Sequence, residues 1–137
     1  MTYLLDTHVV SETRKRQPAP GVTDWIAATP PGRMHISVLT LGEIEQGIAR
    51  VRGRGDPQQA SALERWLRDV ETGFGGRILP VTLPVAATWG RQQYTHPIPV
   101  IDALIAATAR VHGLTVVTRN VKDFELAGVQ VLNPFVG

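Results

Sequence analysis

Val100-Ile101-Asp102-Ala103-Leu104-Ile105-Ala106-Ala107-Thr108-Ala109-Arg110-Val111-His112 passes through Gly113 and Leu114 into Thr115-Val116-Val117-Thr118. The first segment is apolar nearly all round, which predicts a helix buried at the centre of a domain rather than one laid along its surface. The second is a short β-branched run, the composition of a buried strand. Outward from this pair the same alternation recurs. Tyr3 to Leu5, Met34 to Ser37, Ile78 to Val81 and Val129 to Leu132 are further candidate strands. Helical patterns separate them. Thr40 to Arg50 places Leu41, Ile44 and Ile48 on one stripe, and Ala60 to Val70 repeats it with Leu63, Trp66, Leu67 and Val70. Leu83 to Tyr94 precedes the buried helix. Strands alternating with helices predict a three-layer α/β/α domain with a mainly parallel central sheet of about five strands. Gln17-Pro18-Ala19-Pro20-Gly21 and Arg52-Gly53-Arg54-Gly55-Asp56-Pro57 read as loops between helices. With no internal repeat or low-complexity tract, residues 1–137 read as a single domain.

Composition narrows the classes. Hydrophobic residues at 43% and charged residues at 19% are those of a globular chain able to bury a core, which argues against disorder. The absence of cysteine excludes disulfides and thiolate metal sites. The N-terminus has no basic segment and meets Asp6 before any apolar run develops, so no signal peptide is expected. Apolar stretches are too short to cross a bilayer, and a cytoplasmic location is the default expectation. The net charge of +2 does not by itself announce a nucleic-acid binder. Arginine dominates the basic residues, with local runs at Arg14-Lys15-Arg16 and at Arg50, Arg52 and Arg54. Such runs suit bidentate phosphate contacts, and equally a solvated surface.

In open α/β sheets ligands bind at the carboxyl ends of the strands, where strand order reverses. Four acids fall there. Asp6 ends the first strand, Glu43 lies in the first turn of the helix after the second, and Asp123 follows the fourth strand past Thr118-Arg119-Asn120. Asp102 opens the buried helix. Each has a structural reading of its own: Asp6 as a helix cap, Thr40 with Glu43 and Asn120 with Asp123 as capping boxes, Asp102 as a partner of its helix dipole. Together they point elsewhere. Asp102 stands among apolar residues, where an uncompensated charge is expensive. Carboxylates packed at one edge repel unless a cation holds them. Oxygen ligands without histidine or cysteine suit a hard ion, Mg²⁺ or Mn²⁺, which activates water and neutralises charge on a phosphodiester.

At these residues the sequence resembles the PIN-domain family, and within it the VapC-type toxin ribonucleases of type II toxin–antitoxin pairs, particularly the FitB or plasmid-stability subgroup. The matching segments are Leu4-Leu5-Asp6-Thr7 with Val10-Ser11-Glu12, Ile36-Ser37 through Thr40-Leu41-Gly42-Glu43-Ile44 to Gly47-Ile48, Ile101 through Ala109, Thr118-Arg119-Asn120 with Asp123-Phe124, and Val131-Leu132-Asn133-Pro134-Phe135. The resemblance implies a Mg²⁺-dependent endoribonuclease, often a homodimer. It also implies a cognate antitoxin, a small DNA-binding protein whose tail occupies the active-site groove. Carried over by position, Asp6 and Asp102 are expected as direct metal ligands, with Glu43 and Asp123 completing the pocket directly or through water. Thr118 and Asn120 match polar positions that orient water or carboxylates. His8 departs from the asparagine usual there; it can still donate to Asp6, and it titrates near neutrality.

Of the remaining residues, Arg119 beside the cleft is the preferred phosphate contact, its alternative being a salt bridge to a nearby acid. Glu12 either faces the pocket or is solvated, and Glu45, offset from Glu43 on its helix, is expected in solvent. His35, His96 and His112 lack ligand spacing, and Trp25, Trp66 and Trp89 read as core. Apolar helices of the first half, including Trp25 and Trp66, are candidates for a dimer or antitoxin surface. Two other classes compete: phosphoryl transfer on an aspartate, disfavoured by histidine at position 8, and a catalytically silent PIN-fold binding partner acting through its antitoxin complex.

Overall fold

The structure is a computed structural model and describes residues 1–136. Its strands are β1 (Tyr3–Leu5), β2 (Met34–Ser37), β3 (Ile78–Leu79), β4 (Thr115–Val117) and β5 (Val131–Leu132). They form one sheet in the order β3-β2-β1-β4-β5, and every neighbouring pair is parallel. The helices are α1 (Thr7–Glu12), α2 (Pro20–Ala28), α3 (Val38–Gly53), α4 (Pro57–Phe74), α5 (Leu83–Arg91), α6 (Val100–His112) and α7 (Val121–Leu126). From β1 the chain builds outward through β2 and β3, then crosses back to lay β4 and β5 on the other side of β1. Strand order therefore reverses at β1, and the crevice beside its carboxyl end is where such sheets bind ligands.

Alternation along the central strands divides the core between the two faces. Leu4 and its register partner Val116 belong to a cluster with Ile105, Ala106 and Ala109 of α6 and Phe124 of α7. Leu5 and its partner Val117 face the other way, into Val9, Val22, Ile44, Ile48 and Leu67 from α1 to α4. Side chains at period two on strands buried on both faces give this three-layer arrangement. The alanines of α6 let it lie close against the sheet, and Gly113, at φ +66°, ends it in the left-handed conformation that glycine adopts freely.

Several boundaries differ from those read in the sequence. The proline-rich break ends sooner, because Pro20 opens α2 at the first helical position, where its missing N–H costs nothing. At the next glycine a Cβ would collide with the Pro134 carbonyl, so Gly21 lets α2 meet the C-terminal segment. Helix α3 starts at Val38, because Ser37 rather than Thr40 caps it, accepting from Leu39 N at 3.0 Å. Helix α4 extends beyond the expected Ala60 to Val70 at both ends, with Asp56 accepting from Gln59 N at 3.1 Å as its N-cap. Conversely α5 stops at Arg91, and the edge strands β3 and β5 are two residues each. Trp25 packs edge-on against Tyr3 with ring centroids 5.0 Å apart, and Trp66 lies against the core. Trp89 does not: it is 39% exposed on α5. Among the described residues no helix is long and apolar enough to cross a membrane.

Candidate active site

Asp6 is where the sheet edge becomes a pocket. Its backbone N–H still donates to Val117 O at 2.9 Å, as a strand residue's would, while its side chain already caps α1. Oδ1 accepts from Thr7 N at 2.7 Å and Oδ2 accepts from the Thr118 hydroxyl at 2.8 Å. The capping reading and the site reading thus both hold, on different oxygens. Thr118 follows β4 directly and is fully buried, so this bond ties the ends of β1 and β4 together at the switch point. The same hydroxyl accepts from Asn120 N at 2.9 Å, which sets the turn into α7.

The two apparent capping boxes are not formed. Because α3 begins at Val38, Glu43 lies one turn further in than expected, and Thr40 is a buried helix residue. Thr7 Oγ1 lies 2.6 Å from Glu43 Oε1 and 3.1 Å from Thr40 Oγ1. Asn120 makes no side-chain cap for α7. Its amide instead donates to Asp123 Oδ2 at 3.0 Å and reaches Asp102 Oδ2 at 3.4 Å. Short polar side chains prefer local backbone partners when nothing better is offered. Here carboxylates are the stronger acceptors.

Asp6, Glu43 and Asp123 all act on Asp102. Asp102 is half-buried and its pKa is pushed up to about 6, first by desolvation and then by the charges of Asp6, Glu43 and Asp123, with His8 opposing. Thr7 links Asp6 to Glu43, Asn120 links Asp123 to Asp102, and the charges of Asp6, Glu43 and Asp123 all reach Asp102. His8 stands at its mouth with an exposed ring, Nδ1 3.7 Å from Asp6 Oδ2. Its pKa is raised by the contact with Asp6, against burial, with further help from Asp102 and Glu43.

Among the described residues no three acidic or histidine groups already close into a metal cage. Thr118, Thr7 and Asn120 each occupy an oxygen of the carboxylates they face. The donor set still fits a small hard cation. Mg²⁺ binds through one or two carboxylates and keeps several waters, reaching further acids through them. An all-oxygen donor set in which burial and the neighbouring charges raise one carboxyl to about 6 has the charge such an ion would relieve.

The remaining expectations divide. Arg119 is exposed and pairs with none of the acids among the described residues; its guanidinium lies 3.8 Å over the Phe135 ring. Glu12 neither faces the pocket nor is solvated. It is buried, accepts from Ala19 N at 2.8 Å and pairs with Lys15 at 2.9 Å, and Lys15 chiefly holds its carboxyl below the usual range. Glu45 is exposed, 3.8 Å from Arg68, as expected. His96 and His112 are exposed, while His35 on β2 has a buried Nδ1 without a partner. Thr7 and Thr40 escaped the sequence reading. Thr7 follows the strand-ending aspartate, a visible signal; Thr40 was masked by its capping-box spacing to Glu43.

Comparison with known proteins identifies the family of this fold. The PIN domain profile matches residues 3–129. The toxin FitB of Neisseria gonorrhoeae is 37% identical over 96% of this chain and 97% of its own length. The plasmid stability protein StbB of Pseudomonas syringae pv. tomato is 33% identical over 96% of this chain and 97% of its own length. A VapC ribonuclease of Sinorhizobium fredii is 32% identical over 96% of both chains. Among solved structures, FitAcB from Neisseria gonorrhoeae superposes with a TM-score of 0.84 at 34% identity, covering 99% of this chain and 100% of that one.

Proposed function

This chain belongs to the PIN-domain family, and from that premise we propose that it is a metal-dependent endoribonuclease, the toxin of a type II toxin–antitoxin pair. The observation that carries the reading is the linkage of acids at the switch point, where Thr7 bonds both Asp6 and Glu43 and Asn120 reaches both Asp102 and Asp123. In this reading residues 1–137 act as one domain.

Asp6 and Asp102 hold Mg²⁺, or Mn²⁺ in its place, and Glu43 and Asp123 complete the pocket directly or through water. Held there, the ion would supply charge neutralisation on the scissile phosphodiester and activation of water. The chain's own residues do the positioning. Thr118 fixes the rotamer of Asp6, and Asn120 holds Asp123 towards Asp102. His8, more basic than an ordinary histidine because of Asp6, offers a donor at the mouth of the pocket near neutral pH. Arg119, braced on Phe135, meets a backbone phosphate of the RNA beside the cut. No side-chain nucleophile is required.

The partner is a small DNA-binding antitoxin whose tail lies in the same groove, in a complex in the cytoplasm. What supports an antitoxin partner is the likeness to solved FitAB and VapBC complexes bound to DNA. The toxin itself pairs as a homodimer or within that hetero-oligomer. An apolar hollow of about 310 Å³ lined by Ile26, Met34, Trp66 and Phe74 is the surface offered to this assembly.

Purified protein should cut structured RNA with Mg²⁺, and Asp6→Asn or Asp102→Asn should remove cleavage while circular dichroism stays unchanged. Full activity in Asp6→Asn would end the assignment. Calorimetry with no uptake of either ion would instead favour a silent antitoxin-binding protein.

A further inference from the structure

Behind the hydroxyl that faces Glu43 stands a second one. Thr7 Oγ1 is 2.6 Å from Glu43 Oε1 and 3.1 Å from Thr40 Oγ1. A threonine hydroxyl has one proton and two lone pairs, whereas an ionised carboxylate only accepts. The shorter contact has the length of a charge-assisted O–H···O⁻ bond, so the Thr7 proton goes to Glu43. Contact between the two hydroxyls then needs the proton of Thr40. The chain is directional, running from Thr40 to Thr7 to Glu43.

Thr40 occupies a position that packing alone would fill with an aliphatic residue. It is fully buried and continues the stripe of Ile44 and Ile48 on α3. Some other helical or helix-ending threonines bond back to their own helix: Thr108 donates to Leu104 O at 2.8 Å and Thr29 to Trp25 O at 2.7 Å. Thr40 instead meets a residue 33 positions earlier in the chain. A buried hydroxyl is retained where its hydrogen bond is made, and this one is made to the partner of a pocket carboxylate.

We propose that Thr40 is a positioning residue for Glu43, acting through Thr7; the proposal rests on the nuclease reading above. With Oε1 committed to Thr7, Glu43 presents Oε2 alone to the ion or to its water, in one rotamer. Without the Thr40 hydroxyl the Thr7 oxygen loses its second anchor, its side chain can leave this rotamer, and Glu43 loses that fixed aim.

The test uses the full chain with Thr40→Val, Thr40→Ser and, as reference, Glu43→Gln. Thr40→Val should lower kcat for RNA cleavage about tenfold with KM for RNA unchanged, and should weaken Mn²⁺ binding in calorimetry by about the same factor. Thr40→Ser, which restores the hydroxyl without the methyl, should recover both. Equal impairment of the serine and valine variants would reduce Thr40 to a packing residue and overturn the proposal. So would wild-type kcat and Mn²⁺ affinity in Thr40→Val while Glu43→Gln is inactive. Wild-type cleavage by Glu43→Gln would instead strike the nuclease reading itself. Should Thr40→Val fail to fold, Thr7→Val carries the question. It must cost at least about tenfold in kcat, and adding Thr40→Ala to it, which removes the second hydroxyl, must cost nothing more in kcat, since residues in one relay are not additive. A further loss in that double variant would also overturn the relay.

Discussion

Asp123 and Phe124 are neighbours on α7, yet they belong to regions held together in opposite ways. Phe124 is buried in the cluster of Leu4, Ile105 and Val116. Asp123 reaches the pocket with its carboxylate held by Asn120. Helix α6 is divided in the same manner, with Asp102 in its first turn and buried alanines and Ile105 below. Apolar burial stabilises the body of these helices. At their ends, neutral donors hold mutually repelling carboxylates in place. The difference teaches that the pocket is supported by the fold and works against it, as functional sites commonly do.

The sharpest way to break this contrast is to truncate the body. Phe124→Ala should cost about 3–5 kcal/mol in denaturant unfolding, because a filled aromatic site becomes a cavity. Asp123→Asn next door should leave stability the same or slightly higher. If Asp123→Asn destabilised the chain as much as Phe124→Ala, the division between body and edge would be wrong.

A smaller effect is expected at Asp102. In metal-free protein at neutral pH, Asp102→Asn should raise Tm by roughly 3–4 °C, a gain on the order of 1 kcal/mol once solvent screening at this half-exposed position is allowed for. Mg²⁺ should raise the Tm of the parent, since a ligand of the folded state stabilises it, and leave that of Asp102→Asn nearly unchanged. A lower Tm in Asp102→Asn would mean that the carboxylate stabilises the fold after all.

The pH dependence follows with its sign. Asp102 titrates at about 6 in the folded chain against an ordinary 3.8. Below both values the carboxyl is protonated in folded and unfolded chains alike. As pH rises between them, the unfolded chain releases the proton first, so metal-free stability falls through that window and levels off above it. His8 titrates with its own window: its raised value gives stability present below the ordinary 6.5 and lost as pH climbs through the folded value. Asp102→Asn should remove the lower window and leave the upper one. The thermal shift given by Mg²⁺ should grow as pH passes about 6, because the ion needs the deprotonated carboxylate. Thermal melts across pH, with and without Mg²⁺, check both signs.

Legibility followed the same division. The body was readable because its periods are strong: the all-apolar Val100 to His112 segment is α6 to the residue, and β1 and β2 match their expected bounds. The edge strands were overestimated because Val81 and Val129 have strand composition but no ladder partner. At the site, Asp6, Glu43 and Asp123 are legible as acids near strand ends and Asp102 as an acid opening a buried helix, and the charges of the first three reach Asp102. Their hydrogen-bond partners are not legible. Thr40 and Asn120 carry the spacing of local caps, and only the tertiary fold turns those side chains away from the backbone and towards carboxylates. Arg119 was read by position, and nothing in its neighbours foretold that it would stack on Phe135.

The smallest predicted effect isolates geometry from composition. Glu43 and Glu45 share a helix, a charge and a neighbourhood in sequence. Two residues on an α-helix are about 200° apart around its axis, so the pair cannot serve one face. Glu43 turns to Thr7 and the pocket, whereas Glu45 is exposed and 3.8 Å from Arg68 across to α4. An exposed pair at that separation contributes little, so Glu45→Gln should change stability by less than about 0.5 kcal/mol. Mg²⁺ affinity and RNA cleavage should also match the parent, because screening weakens the influence of a solvent-facing charge on the pocket. Glu43→Gln removes the same charge and should lose both. If the two substitutions proved equivalent in calorimetry, the pocket would be responding to the net charge of α3, and the orientation of single carboxylates would no longer explain the site.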